Sequence, residues 1–204
     1  MVQKSASKPR GRPRTYDPAV ALSRAMQTFW QKGYAGTSVD DLCAATGLNK
    51  PSLYAGLGDK QRLYHLALQA YVQQVGAGMA GVLGDPRLSL REALDQLMHQ
   101  AVSLYQDGRG CFLVSTTPAV AWDDLVVRET VAQALRAQDA ALAARFKQAQ
   151  QAGQVPACAH VDALGGMVSA LLHSLALRAR AGATREDLLS WASAGVATLL
   201  VGSD

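Results

Sequence analysis

The chain has 204 residues, 49% of them hydrophobic and 18% charged, with a net charge of +4. That apolar content excludes a disordered chain and provides for one medium domain, or a small module joined to a larger one. Three widely spaced cysteines, Cys43, Cys111 and Cys158, match neither a disulfide framework nor a paired-cysteine zinc spacing, and no apolar segment of signal-peptide type follows the N-terminal positive charges.

The most apolar stretch, residues 161–177, contains Asp162 and His173 and is too short to span a bilayer comfortably. A soluble protein of the reducing cytoplasm is therefore expected. The charge is uneven. Residues 1–64 hold ten Lys or Arg against four acids, net +6, and the remainder ten against twelve, net −2. A basic first third points to a polyanionic partner there and to a different task elsewhere.

Residues 1–15 carry basic side chains, no acid and no apolar periodicity, and read as a flexible basic arm. Arg10-Gly11-Arg12-Pro13 with Arg14 matches the core of an AT-hook, in which glycine and proline keep the strand thin enough for arginines to enter a narrow minor groove. Asp17-Pro18 then reads as a helix start, a capping carboxylate before proline. Leu22, Ala25, Met26 and Phe29 line one face of that helix, which stops at Gly33. Thr37 with Asp40, or Ser38 with Asp41, can form the capping box of a second helix that buries Val39, Leu42 and Cys43 and ends at Gly47.

Only Leu48 and Asn49 separate Gly47 from a short third helix, about the turn length of a helix-turn-helix. Leu53 and Leu57 anchor that helix inward, leaving Lys50, Ser52, Tyr54 and Ala55 outward. A fourth helix runs from Lys60 to about Leu83. Beyond it come a helix capped by Ser89 with Glu92 to about Asp107, a break at Gly108-Arg109-Gly110, and a short segment from Cys111 to Ala119. A long helix from Asp123 to Ala152 and helices over Val161–Ala181 and Arg185–Val201 complete an all-α chain of about nine helices.

Phe29, Lys32-Gly33-Tyr34, Thr37-Ser38-Val39-Asp40-Asp41-Leu42, Gly47-Leu48-Asn49-Lys50, Ser52-Leu53-Tyr54 and Gly58-Asp59-Lys60 together resemble the TetR/AcrR family of bacterial regulators. The resemblance covers nearly all of 17–64 in order and spacing; the remainder is similar only in helix number and order. It implies a basic arm over 1–15, a three-helix helix-turn-helix domain over 16–64 and a helical effector-binding and dimerisation domain over 65–204. The family pattern usually has a bulky aromatic where Leu57 stands and a larger polar residue where Gly56 stands. Gly56 removes a base contact and weakens the short helix by roughly 1 kcal/mol relative to alanine.

The expected partner of the first domain is double-stranded operator DNA. Lys50 can donate to guanine acceptors and Asn49 can pair with adenine, while Tyr54 suits a phosphate. Lys60, at the start of the fourth helix, suits another phosphate. Thr37, Ser38, Pro51 and Ser52, with Arg10, Arg12 and Arg14 of the arm, complete the expected DNA-contacting set. A homodimer is expected through the last two helices, with Leu164, Val168, Leu171, Leu172, Leu175, Leu188, Trp191, Val196 and Leu199 at the interface and small Gly165, Gly166, Ser169 and Ala170 allowing close approach.

In the second domain the resemblance places an effector pocket between the fourth and eighth helices. Met98, Val102, Tyr105, Phe112, Trp122, Phe146 and Met167 are its expected apolar lining and His99, Cys111, Thr116 and His173 its sparse polar contacts, a mixture suited to a small, mainly hydrophobic organic effector. No cofactor and no metal are expected, since no ligand pair has local metal spacing; convergence of His99, Cys111 and His173 is the minor alternative. The chain reads as a repressor released from a palindromic operator by a small molecule. The alternatives are an activator, or a constitutive or thiol-sensing regulator acting through Cys111. An enzyme with an accessory DNA-binding domain is disfavoured, because residues 65–204 contain no nucleophile elbow, phosphate-binding glycine loop or dinucleotide fingerprint.

Overall fold

The structure is a computed structural model that describes residues 16–200, and among them every regular element is helical. Nine α-helices follow in order: α1 (Pro18–Lys32), α2 (Val39–Thr46), α3 (Lys50–Leu57), α4 (Lys60–Leu83), α5 (Leu90–Leu104), α6 (Phe112–Thr116), α7 (Leu125–Gln151), α8 (Val161–Arg180) and α9 (Arg185–Leu199). A 3₁₀ turn, Gln106–Gly108, sits between α5 and α6. No helix among the described residues is long and apolar enough to cross a membrane.

Local chemistry sets most of the helix starts. Asp17 accepts from the Ala19 amide at 2.8 Å, with Pro18 opening α1. Of the two possible boxes at α2, Ser38 with Asp41 forms: the Asp41 amide donates to the Ser38 hydroxyl, and the Ser38 amide donates back to the Asp41 carboxylate. The same reciprocal pairing starts α5 through Ser89 and Glu92 and α9 through Thr184 and Asp187. Gly47 closes α2 in the left-handed region at φ 73°, which lets the chain turn directly into α3.

Three elements differ from the sequence reading at their ends, α6 covering only Phe112–Thr116 of the segment from Cys111 to Ala119. The fifth helix stops at Leu104 rather than near Asp107, because Asp107 itself adopts φ 60°. The seventh starts at Leu125 rather than Asp123, because the Asp124 side chain caps it by accepting from the Val126 and Val127 amides.

Two hydrophobic cores result. The first joins α1, α2 and α3 to the first half of α4 and also takes in Phe112, Leu113 and Val127. The second lies between α5, α7, α8, α9 and the last turns of α4. Helix α4 thus belongs to both, running from the helix-turn-helix into the larger helical body.

Candidate functional site

The helix-turn-helix is held from behind by Phe29, Leu42, Leu53, Leu57 and Tyr64, all buried in the first core. Tyr64 meets Phe29 edge-on at 5.2 Å and donates to or accepts from the Thr116 hydroxyl at 2.8 Å. With those anchors fixed, α3 leaves Lys50, Pro51, Ser52 and Tyr54 in solvent, Tyr54 being 47% exposed. The exposed face is short and polar, and it is backed by a rigid apolar wedge.

Several of its side chains are already partnered. Asn49 is the N-cap of α3, its Oδ1 accepting from the Ser52 amide at 2.9 Å. Lys50 Nζ lies 2.9 Å from Asp40 Oδ1 of α2, and this hydrogen bond pushes its ammonium pKa up. Lys60, the first residue of α4, sits 4.4 Å above the Tyr34 ring. Ser38 is exposed at the start of α2 but occupied by its capping box. Thr37 is 1% exposed, with its hydroxyl donating to the Gly33 carbonyl rather than pointing into solvent. Arg10, Arg12 and Arg14 lie outside the described residues. A Cβ at Gly56 would meet the Tyr16 hydroxyl, the far end of a side chain that would have to move aside.

A cavity of about 760 Å³ opens in the second domain between α4, α5, α7 and α8, with Cys111 and Leu113 beside it. Of the expected lining, His99, Tyr105, Cys111 and His173 stand on its wall. The other seven residues do not. Met98, Val102 and Phe146 are buried in the second core. Phe112 packs instead among Trp30, Tyr64 and Tyr71 at 5.4–5.9 Å between centroids. Thr116 is taken by Tyr64. Trp122 lies 84% exposed in the connection before α7, and Met167 is 57% exposed on the outer face of α8.

Sequence reasoning missed the wall that α4 and α7 supply: Tyr71, Val72, Val75 and Met79 from one, Leu135 and Gln138 from the other. No local signal distinguishes these residues from ordinary core or surface. On the wall Tyr71 donates to Cys111 Sγ at 3.2 Å, and burial, with Cys111 beside it, pushes the Tyr71 pKa up. Burial also lowers the pKa of His173, against the opposing pull of Asp139. His99, Cys111 and His173 share the cavity, yet among the described residues no three His, Cys, Asp or Glu side chains are grouped to hold a metal.

The residues expected at the dimer surface divide between the chain's own core and its exterior. Val168, Leu172, Leu175, Leu188 and Val196 are buried in the chain's own second core. Leu164, Leu171 and Leu199 are partly buried against it, and Trp191 alone of the set is exposed. Two of the four small residues serve α7 rather than a second chain. A Cβ at Gly165 would stand 2.9 Å from the Ala143 amide nitrogen, and Ser169 donates to Asp139 at 2.5 Å. Met167, Leu177 and Trp191 form the exposed apolar set on α8 and α9, with Arg178 lying 4.1 Å over the Trp191 ring.

Comparison with known proteins agrees with this geometry. The sequence profile of bacterial regulatory proteins of the tetR family matches residues 21–67. The chain is 29% identical to the HTH-type transcriptional repressor ComR of Escherichia coli (strain K12) over 185 residues, 89% of this chain and 88% of that one. It is 37% identical to the HTH-type transcriptional repressor BdcR of the same organism over 111 residues, 54% of this chain and 56% of that one. Among solved structures it is similar to a cysteine variant of the TetR family transcriptional regulator CifR complexed with 26-bp double-strand operator DNA, at a TM-score of 0.79 and 30% identity over 92% of this chain and 98% of that one. A helix-turn-helix packed on a helical body with this order of elements, matched at that identity along almost the whole length of both chains, means that this chain belongs to the TetR family of bacterial regulatory proteins.

Proposed function

We propose that the chain is a homodimeric transcriptional repressor that grips a palindromic operator through α3 and is released when a small organic molecule occupies the cavity. Family membership supplies the DNA-binding regulatory role; sign, symmetry and effector control are our reading. One observation carries it. Helix α4 begins with Lys60 beside the helix-turn-helix, and farther along the same helix Tyr71, Val72, Val75 and Met79 wall the cavity.

An occupant that wedges against α4 favours one tilt of that helix, and the tilt sets the spacing between the two recognition helices of a dimer. Half-sites lie about one helical turn apart or a multiple of it, so a changed spacing mismatches them. Release requires the occupant to bind the DNA-free arrangement more tightly than the DNA-bound one, because equal affinity shifts nothing. In the dimer we assign the contact to the outer faces of α8 and α9 around Met167, Leu177 and Trp191, which otherwise leave large apolar side chains in water. Asn49, Lys50, Ser52 and Tyr54 read the major groove and Lys60 holds a phosphate. The residues 1–15 arm reaches an adjacent minor groove.

The test is selection of duplexes from a randomised pool with the full chain, followed by gel shift on the selected sequence and on a scrambled one. A selected palindrome bound well above the scrambled duplex supports the reading, and failure to enrich any duplex defeats it. A thiol-sensing mode has one observation in its favour: Cys111 is on the cavity wall and accepts the Tyr71 hydroxyl, so a reagent entering the cavity meets a sulfur. Retention of the effector response in Cys111→Ser selects the non-covalent mode, and its loss selects the thiol.

A further inference from the structure

The polar groups on the cavity wall are all of one kind. Gln74, Gln100, Ser103, Gln138, Tyr71 and Tyr105 provide amides and hydroxyls, and no Asp, Glu, Lys or Arg stands among the lining residues. The two histidines do not change this: His99 is exposed at its edge, and burial lowers the pKa of His173, which keeps its imidazole uncharged near neutrality. Asp139, next to Gln138 on α7, is turned to the Ser169 hydroxyl and does not line the space.

Of the two buried polar side chains on the wall, Tyr71 is bonded to Cys111 and Tyr105 is left without a partner among the described residues. Tyr105 closes the C-terminal end of α5, is only 7% exposed, and lines the cavity with a hydroxyl that has no hydrogen bond among the described residues. Burial raises its pKa, and Cys111 nearby adds to the effect, so the phenol stays protonated and is a donor. A hydroxyl on the cavity wall with no protein acceptor is available to donate to an incoming ligand, which would take it out of water.

We infer that the effector of this cavity is an electrically neutral molecule with an apolar body and a carbonyl-type hydrogen-bond acceptor, which receives the Tyr105 hydroxyl. The inference rests on the reading of the cavity as the effector site and adds the ligand's charge state and its anchoring group. An ion entering this space leaves water and finds no opposite charge, which is costly in an apolar surrounding. A neutral molecule loses far less, and its acceptor meets Tyr105 while its body lies against Val72, Val75, Met79, Leu104 and Leu135. A hydrocarbon of the same shape fits the wall but leaves the tyrosine unpartnered, so the acceptor sets specificity rather than mere occupancy.

Three probes of matched shape test this by titration calorimetry on the full chain: 4-acetylbiphenyl, 4-isopropylbiphenyl and 4-biphenylcarboxylate. The ketone is expected to bind about tenfold more tightly than the hydrocarbon and more tightly still than the carboxylate. In Tyr105→Phe the ketone should fall to the level of the hydrocarbon, whose own affinity is retained, which also shows that the variant is folded. Carboxylate binding equal to or tighter than the ketone's overturns the inference while leaving the cavity as an effector site. An unchanged ketone-to-hydrocarbon ratio in Tyr105→Phe also overturns it. Binding of none of the three in the wild-type chain overturns both this inference and the reading of the cavity on which it rests.

Discussion

The indole Nε1 of Trp30 donates to the Gly110 carbonyl at 3.1 Å, a buried hydrogen bond between residues 80 positions apart. It ties α1 of the helix-turn-helix to the segment that leads into α6. Gly110 is itself pinned: it adopts φ 62°, and a Cβ there would lie 2.5 Å from the Ala176 carbonyl of α8. Around this bond Tyr71 meets Trp30 edge-on at 5.1 Å and the Arg109 guanidinium lies 5.1 Å over the indole. The next residue, Cys111, is on the cavity wall, as is Tyr71. A small cleft against α1, lined by Gln27, Trp30 and Arg109, shares Tyr71, Gln74 and Val75 with the main cavity. The cavity wall is therefore joined to the helix-turn-helix through Trp30 and Gly110 as well as through α4, a second route by which the proposed release could act.

Trp30→Phe separates the two routes. It keeps an aromatic ring against Tyr71 and Phe112 but leaves the buried Gly110 carbonyl without its donor, a loss of about 1–3 kcal/mol. We expect a lower midpoint in thermal denaturation, near-normal operator affinity in the free state and a weakened release by effector. Full release with an unchanged midpoint would leave α4 as the sole connection.

Much of the fold is written locally in the sequence. Asp17-Pro18, Ser38 with Asp41, Ser89 with Glu92 and Thr184 with Asp187 each cap a helix using residues two or three positions apart, so no knowledge of the rest of the chain is required. The helix-turn-helix is legible for the same reason. The orientation of α8 and α9 is not, because leucines surround both helices and the inward face is chosen by α7 and α5. Val168, Leu172 and Leu175 turn in while Met167 and Leu177 turn out, a division that periodicity alone leaves open. The cavity wall is harder still: Tyr71 of α4 and Gln138 of α7 share it only through long-range packing. Size misled at Trp122, which projects into solvent from a connection rather than filling the core.

At the DNA interface the two lysines should behave differently. Lys50→Ala is expected to reduce discrimination between selected and scrambled duplexes about tenfold, if the side chain reads the groove as we propose. Lys60→Ala should weaken both about equally and lower the slope of log affinity against log salt by about 1, as one released counterion requires. Asp40→Asn removes the present partner of Lys50 and should tighten binding, because the ammonium no longer has to leave a carboxylate. Gel shift across a salt series measures all three.

The α7–α8 contact can be checked against a neutral position. Gly165→Ala places a methyl against the Ala143 backbone, which cannot rotate aside, and should cost about 1–3 kcal/mol in denaturant unfolding. Gly81→Ala, on an exposed turn of α4 with nothing within 4 Å of the new Cβ, should instead stabilise by up to about 1 kcal/mol. Equal effects at the two sites would remove close helix packing as the reason for Gly165.

Charge placed on the outer faces of α8 and α9 should dissociate the dimer without unfolding it. Leu177→Glu with Trp191→Glu alters two exposed side chains and leaves the second core intact. Sedimentation should show a monomer of normal helicity, and affinity for the palindrome should fall more than tenfold because one recognition helix no longer positions the other. A dimer that survives both charges places the interface elsewhere.

The last test concerns the join between α4 and α7. Asp124 caps α7 and also accepts from Gln61 Nε2 at 2.9 Å and His65 Nε2 at 2.7 Å, both on α4. Burial pushes its carboxyl pKa up, but the Gln61 amide, the His65 ring and the Val127 N–H together outweigh this and hold it down to about 2, from an ordinary 3.8. A carboxyl whose pKa is lower in the folded state stabilises the fold fully above its unfolded value. That contribution fades as pH falls from about 4 and is gone only below about 2, where folded and unfolded forms are both protonated. Asp124→Ala should therefore lower stability at pH 7 by about 1 kcal/mol or more, the loss of a helix cap and of the tie to α4. The gap between variant and wild type should narrow as the same denaturation is repeated down to pH 3. A gap that stays constant over that range would mean that the ionised carboxylate is not what joins the two helices.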